Sequence, residues 1–399
     1  MLKYLKPILV SVLLAGVLAL SCDKQEEPVT PSKKEAAPEN GETPVNKDAV
    51  LCREDCLGQK PMVIAYYTEN SSEVPDPNYV THINFAHGRF VNTKTGEGGI
   101  VIGKANTNSD NSSYIALLKK VLALKKTNPE LKVLLMIGGW GEAADGFSMM
   151  ARSETGRADF CKSVKEKLDT YGLDGVDIDW EYPGGGPSTN AKSDKDAKNF
   201  NLVLKELRET LGDTKIISYA SSSSAKYCDF KGALLYLDYV NVMTYDMGEP
   251  PMHNSPLKKS KTFNQSGCAE SVEKHVAAGV PLNRQNLGVP FYGHGISPYK
   301  DDVKYNEMAA IFNSTTTYKD KNIRKWDDEA KVPYLVDSSG KILLSYDDEE
   351  SVAFKGKLSV EKKMLGVMVW EYRHDDKQHT LMKSLVKSVY GKESVLNNQ

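Results

Sequence analysis

The chain has 399 residues, 40% of them hydrophobic, with 51 Lys and Arg against 53 Asp and Glu and a net charge of −2. That is enough apolar material for one large globular domain or two modest ones. The near balance of charge leaves no basic patch, and the aromatics are not interleaved with Arg, which excludes nucleic acid as a partner.

Taken in order, the chain opens on a targeting segment, residues 1–22, in which Lys3 and Lys6 precede an apolar run from Pro7 to Leu20. Ala19-Leu20-Ser21-Cys22 resembles a bacterial lipobox, although the usual Leu stands at position 18 rather than 19. The resemblance implies lipidation at Cys22 and a bacterial lipoprotein at the outer membrane or cell surface, or facing the periplasm; plain secretion by cleavage elsewhere is the alternative. No later stretch approaches the ~20 apolar residues of a membrane span, so lipid would be the only membrane anchor. Residues 23–59 are rich in Glu, Lys, Pro, Asn and Thr, contain no aromatic residue, and read as a disordered tether. Of the remaining cysteines, Cys161 falls on a helix face with Val164 and Leu168 and is expected in the core. Cys52 with Cys56 and Cys228 with Cys268 are possible bridges, and without clustered His a zinc site is not expected.

From residue 60 to 392 short apolar runs recur, each followed by a longer polar or helical stretch. Eight are counted: Met62–Tyr67, His82–His87, Lys132–Gly138, Gly175–Asp179, Lys215–Ser221, Tyr239–Thr244, Asn286–Pro290 and Gly366–Trp370. Between them lie helical stripes such as Ile115, Leu118, Val121 and Leu122, and Phe200, Val203, Leu204, Leu207 and Leu211, the last stopped by Gly212. This alternation predicts an α/β fold, a (β/α)8 TIM barrel with insertions, whose site lies at the C-terminal ends of the strands. A doubly wound open sheet is the alternative, but no Gly-rich phosphate loop follows the first strand.

The fourth run continues through Leu173-Asp174-Gly175-Val176-Asp177-Ile178-Asp179-Trp180-Glu181-Tyr182-Pro183. Its period-two pattern puts Asp177, Asp179 and Glu181 on one strand face, spaced roughly 6.5 to 7 Å apart. No Lys or Arg in the run neutralises them, so each carboxyl raises its neighbour's affinity for a proton. A solvated edge strand does not account for the Val, Ile and Trp on the other face. Nor does a calcium loop, because the Gly such a loop needs at its sixth position is Tyr182 here. The remaining reading is catalytic: a graded set of carboxyls whose last member, Glu181, stays protonated and donates to a leaving group.

Asp174-x-x-Asp177-x-Asp179-x-Glu181 resembles the Asp-x-x-Asp-x-Asp-x-Glu signature of family 18 glycoside hydrolases, the chitinases and endo-β-N-acetylglucosaminidases. Met243-Thr244-Tyr245-Asp246 is similar to the family's Met-x-Tyr-Asp, Gly366–Trp370 to its eighth-strand segment, and Ile137-Gly138-Gly139-Trp140 to its Ser-x-Gly-Gly motif with Met136 at the Ser position. The resemblance covers about residues 60 to 390. It implies that Glu181 protonates the glycosidic oxygen while the substrate's own 2-acetamido carbonyl attacks the anomeric carbon. Asp179 then stabilises the oxazolinium ion, Asp177 shares a proton with Asp179, Tyr245 positions the carbonyl, and Asp174 supports the set. Asp246 and Met243 are expected at the sugars, and Tyr66, Phe85, Trp140, Tyr292 and Trp370 form a set of aromatics for sugar rings. Met136 removes a hydroxyl from the acidic core, and in Phe291-Tyr292-Gly293-His294 the His stands where the family often has Arg. Residues 294–363, with strand-like Trp326–Asp328, Val332–Leu335 and Ile342–Tyr346, resemble the small α+β insertion of the family's chitinases, between the seventh strand and seventh helix. The implied activity is β-1,4 cleavage at N-acetylglucosamine in chitin or its oligosaccharides. N-glycan cores are the second substrate, and a surface glycan-binding protein without activity is the third reading. No metal and no cofactor is required, and a monomer is expected.

Overall fold

In the computed structural model, which describes residues 60–68, 73–188, 192–308 and 323–396, the eight apolar runs become eight parallel strands closed on themselves. The strands in chain order are β1 Met62–Tyr67, β2 His82–Phe90, β3 Ile100–Ile102, β4 Lys132–Gly139, β5 Gly175–Trp180, β6 Ile216–Ser222, β7 Tyr239–Met243, β8 Gln285–Pro290, β9 Tyr292–Gly295, β10 Asp302–Lys304, β11 Ile323–Asp327, β12 Val332–Val336, β13 Ile342–Ser345 and β14 Gly366–Trp370. The barrel order is β1-β14-β8-β7-β6-β5-β4-β2, and β2 returns to β1 through the register Tyr66↔Asn84. Closure rules out the open doubly wound sheet. Three strands were not foreseen: β9 and β10 of the second sheet, and β3, three residues long, which pairs antiparallel with an extension of β2 beyond a bulge at Ala86/Gly88.

Two faces of every strand do different things. Val63, Ile83, Phe85, Leu135, Val176, Ile178, Trp180, Ile217, Val240, Leu287 and Val367 point outward and merge with the helices in one large core. Helix Glu154–Tyr171 supplies Phe160, Cys161, Val164 and Leu168 to it and stops at Gly172, whose φ of 68° is a left-handed cap. Helix Asp196–Leu211 supplies Phe200, Val203, Leu204, Leu207 and Leu211. Trp180 is held between Phe147, at the start of the short helix Phe147–Arg152, on which it stacks at 5.2 Å, and Phe200, to which it is edge-on at 5.7 Å. Cys161 therefore lies in the core as expected. Cys228 and Cys268 are both free thiols, which overturns the suggested bridge; Cys268 is buried at a helix start and donates to the Thr244 carbonyl at 3.6 Å. Cys22, Cys52, Cys56 and the whole targeting segment and tether lie outside the described residues.

Between β8 and β14 the chain builds a second sheet, fully antiparallel, in the order β10-β9-β13-β12-β11. The loop that follows β7 ties this sheet to the barrel rim. Asn254 donates from its backbone to Ser345 Oγ at 2.9 Å and from its side chain to the Tyr292 carbonyl at 3.2 Å. Asp327 gathers Ser260 Oγ at 2.9 Å and His253 Nε2 at 3.1 Å. The fully buried Lys355 pairs with Asp347, so the helix Glu349–Glu361 is pinned beneath the same sheet.

At the end of β4, Gly138 sits at φ +107°, and a Cβ there would lie 2.1 Å from the Asp179 carbonyl and 2.8 Å from the Phe147 ring. The backbones of β4 and β5 thus meet only because this residue has no side chain. Gly138→Ala is expected to cost roughly 3 kcal/mol or more and to lower the thermal midpoint by several degrees. An unchanged melting curve would show that the strand ends are not held this closely.

Candidate active site

The barrel interior is where the sequence departs from simple packing. Along β5 the inward residues are Asp177 and Asp179, continued by Glu181 just past the strand, and all three are buried. An unpaired buried carboxylate would be prohibitively costly, and the neighbouring strands supply the partners. Asp177 Oδ1 accepts from Ser218 Oγ at 2.6 Å and Asn241 Nδ2 at 3.2 Å, and Oδ2 accepts from the Tyr66 hydroxyl at 2.8 Å. Asn286 donates to Asn241 Oδ1 at 3.0 Å and thereby sets which way that amide faces. Burial pushes the Asp177 carboxyl up to about 6, against these donors and Asn84, which favour its charged form.

Asp179 is pushed well above the usual carboxylate range, first by burial and then by the charges of Glu181 and Asp177; the Arg89 guanidinium pulls the other way. Its hydrogen bond to Glu181 favours the proton on Asp179 and the acceptor role on Glu181. Its second oxygen, Oδ1, has no partner among the described residues. Glu181 is pushed up to about 7 by burial and by the charge of Asp246, opposed by hydrogen bonds from Tyr182 and Asp179. Asp179 and Glu181 titrate as one coupled pair, with protons available near neutrality at the open end of the barrel.

Around this ladder the strand ends bring most of the expected residues together. Tyr66, Met243, Tyr245 and Tyr292 share an inner cluster with Met136 and Met368, and Trp370 packs against it with its ring 5.6 Å from that of Tyr66. Burial and the nearby Asp179 keep the Tyr245 hydroxyl protonated, so it is a donor at the site. Asp246 turns its carboxylate to the rim, where it accepts from the Tyr292 hydroxyl and His294 Nε2. Trp140 is 64% exposed, edge-on to Tyr182 at 6.3 Å, and Tyr182 stacks on Tyr227 at 4.6 Å and 6°.

Two expected residues lie elsewhere. Phe85 faces outward into the helix-packed core, 6.4 Å from Tyr67, because Asn84 and Ala86 hold the inward positions of β2. Asp174 precedes β5 at the opposite end of the barrel. There it accepts from Lys125 Nζ at 2.6 Å and the Val133 amide at 2.7 Å, and has no part in the acid ladder. The hydroxyl absent at Met136 is supplied to Asp177 by Ser218 on the other neighbouring strand. Ser218, Asn241, Asn84, Arg89, Tyr182 and Tyr227 were missed. The available signal was the polar residue at alternate positions of β2, β6 and β7, where a barrel interior would otherwise be aliphatic.

The raised carboxyls set the sign of the stability profile. In the folded state they bind protons up to about pH 6 and 7, whereas unfolded they release them near 4. Stability therefore falls as pH rises from the unfolded value through the folded ones. Glu181→Gln should raise the thermal midpoint above pH 7, by a free energy on the order of 1–3 kcal/mol, and the gain should vanish near pH 4. An offset independent of pH would mean that Glu181 is not held protonated by the fold.

The family model of the glycosyl hydrolases family 18 matches residues 62–375, from the first residue of β1 to just beyond β14. Chitinase A1 of Niallia circulans is 33% identical over 302 residues, which are 66% of this chain and 43% of that protein, so the chain spans less than half of its relative's length. Among solved structures, a family 18 N-acetylglucosaminidase from Paenibacillus barengoltzii aligns with a TM-score of 0.67 and 29% identity, over 82% of this chain and 100% of the other. A chitinase from Bacillus thuringiensis shares the fold with a TM-score of 0.72 at 24% identity, over 86% and 71%. A family match running the length of a closed barrel, with the acid ladder inside it, means that the chain belongs to glycosyl hydrolases family 18.

Proposed function

We propose that this protein is a chitinase-type glycosidase that cleaves β-1,4 bonds at N-acetylglucosamine by retaining, substrate-assisted catalysis. The observation that carries the reading is the buried ladder Asp177–Asp179–Glu181, whose last two members share a hydrogen bond and whose end is an acid raised to about 7. Glu181 is the group that gives its proton to the leaving oxygen. Asp177 is taken up by three hydrogen bonds and Asp179 by one to Glu181, which suits a nucleophile supplied by the substrate, as the family resemblance implies. The nucleophile is then the substrate's acetamido carbonyl, with Asp179 Oδ1 accepting its N–H and Tyr245 donating to its oxygen. Chitin oligosaccharides are ranked first because chitinase A1, a relative at 33% identity, carries that name. The tether and lipid at Cys22 would hold the enzyme on a bacterial envelope membrane.

Glu181→Gln should lose about 10² to 10⁴ in rate while still binding oligosaccharide, and wild-type kcat/KM should fall as pH rises past about 7. Proton NMR in early turnover should find the β anomer first, since two displacements at one carbon restore its configuration. An α anomer released first would overturn the mechanism, and full activity in Glu181→Gln would overturn the assignment. Release of a high-mannose glycan from a glycopeptide, with chitin oligosaccharides left intact, would move the substrate to N-glycan cores. Binding without hydrolysis in the wild type would make this a glycan-binding protein.

Separately, Cys22→Ala should move the protein from membrane to soluble fractions. A wild type that is already soluble would refute the anchor.

A further inference from the structure

His294 stands on β9 between two carboxylates that belong to different parts of the fold. Its Nε2 lies 2.8 Å from Asp246 Oδ1, at the barrel rim after β7, and its Nδ1 lies 2.7 Å from Asp301 Oδ1, in the turn before β10. An ionised carboxylate only accepts hydrogen bonds, and a neutral imidazole has one N–H and one lone pair. Two such contacts on one ring therefore require both nitrogens to donate, which only the imidazolium can do. The ring is itself well covered, at 14% side-chain exposure, whereas Asp246 and Asp301 are 58% and 69% exposed.

The surroundings agree with a retained proton. The titratable groups around the ring are Asp246, Asp301, Asp302, whose Cα is paired opposite it, and the Tyr292 phenol, with His374 on the far side of Tyr292. On the β13 side the paired residue is the uncharged Ser345. Burial alone would drive the proton off; the hydrogen bonds and charges of Asp246 and Asp301 outweigh it and hold the ring up to about 9.

We propose that His294 is a positioning residue: as an imidazolium it fixes the Asp246 carboxylate toward the cleft and ties it to the small sheet, so that glycan affinity depends on the protonation of this one ring. Exposed ion pairs contribute little to stability, so the consequence lies in where Asp246 points. Deprotonation leaves one of the two contacts with a lone pair facing a carboxylate oxygen. The Tyr292 hydroxyl then remains as the other donor to Asp246 Oδ1. Asp246 also acts on Glu181 through its charge, so the bridge joins the sheet, the rim and the acid.

The inference rests on the glycan reading above, and its test separates the two. Affinity for a GlcNAc oligosaccharide is measured by calorimetry from pH 6 to 10 in the Glu181→Gln background, where turnover and the acid's own titration are removed. Binding is expected to hold steady to about pH 8 and to weaken about tenfold as the ring loses its proton. Adding His294→Arg should flatten that fall, adding His294→Ala should weaken binding at every pH, and adding Asp301→Asn should move the fall to lower pH. In an Asp246→Asn background His294→Ala should have no further effect. A pH-independent affinity with His294 present, or additive losses in the double variant, overturns the proposal. The ring's own NMR titration needs no ligand: an imidazole already neutral at pH 7.5 also overturns it. A wild type that neither binds nor cleaves any GlcNAc oligosaccharide, with the ring still charged, would refute the glycan reading and with it the role for affinity.

Discussion

Three carboxyl groups on the inward face of one buried strand are the constraint to which the rest of the barrel answers. A chain selected only to fold would place aliphatics there, since burying a carboxylate without partners costs far more than any single packing contact returns. Here the neighbouring strands give up apolar positions to meet the need. Tyr66 comes from β1, Ser218 from β6 and Asn241 from β7, and Asn286 from β8 orients Asn241. The barrel's cohesion is consequently moved outward, to the layer between strands and helices where Phe147, Trp180 and Phe200 interlock.

The same electrostatics grade the acids. Asp177, best supplied with donors, can carry charge; Asp179 is held protonated first by burial and then by the carboxyls on either side of it; Glu181, at the mouth, is left with a proton near neutral pH. One strand thus holds a support, a proton-sharing partner and an acid, distinguished by environment rather than by residue type. At the rim the sign of the problem reverses. Asp246 and Asp301 are exposed anions, and a single cation, His294, draws them together across the junction of barrel and small sheet.

The legible part of this protein was the part governed by local period. Alternation in Val176-Asp177-Ile178-Asp179-Trp180-Glu181 placed the acids on one face, and the structure puts them there with Val176, Ile178 and Trp180 in the outer core. Eight apolar runs separated by helical stripes were sufficient for a parallel α/β fold, because parallel strands must alternate with crossovers; closure into a barrel rather than an open sheet came from the β1–β2 pairing. The misreadings came from questions that period does not answer. Phe85 looked like a sugar platform because it is an aromatic near a strand end, but a residue one position along a strand faces the opposite side, and Asn84 already held the inner one. Asp174 belongs to the same motif as Glu181, yet it lies at the other end of the strand and is spent on Lys125 and the Val133 amide.

What the sequence determined by itself was therefore the eight barrel strands and the face and order of the acids along β5, all properties of a chain interacting with its own near neighbours. What only the tertiary structure decided was which partners close on those acids. Ser218 lies 41 residues from Asp177, Tyr66 lies 111 away, and His294 lies 48 from Asp246. Hydrogen bonds and charges act over a few ångströms of space whatever the sequence separation, so the proton inventory of the site became readable only when the barrel closed and brought those strands side by side.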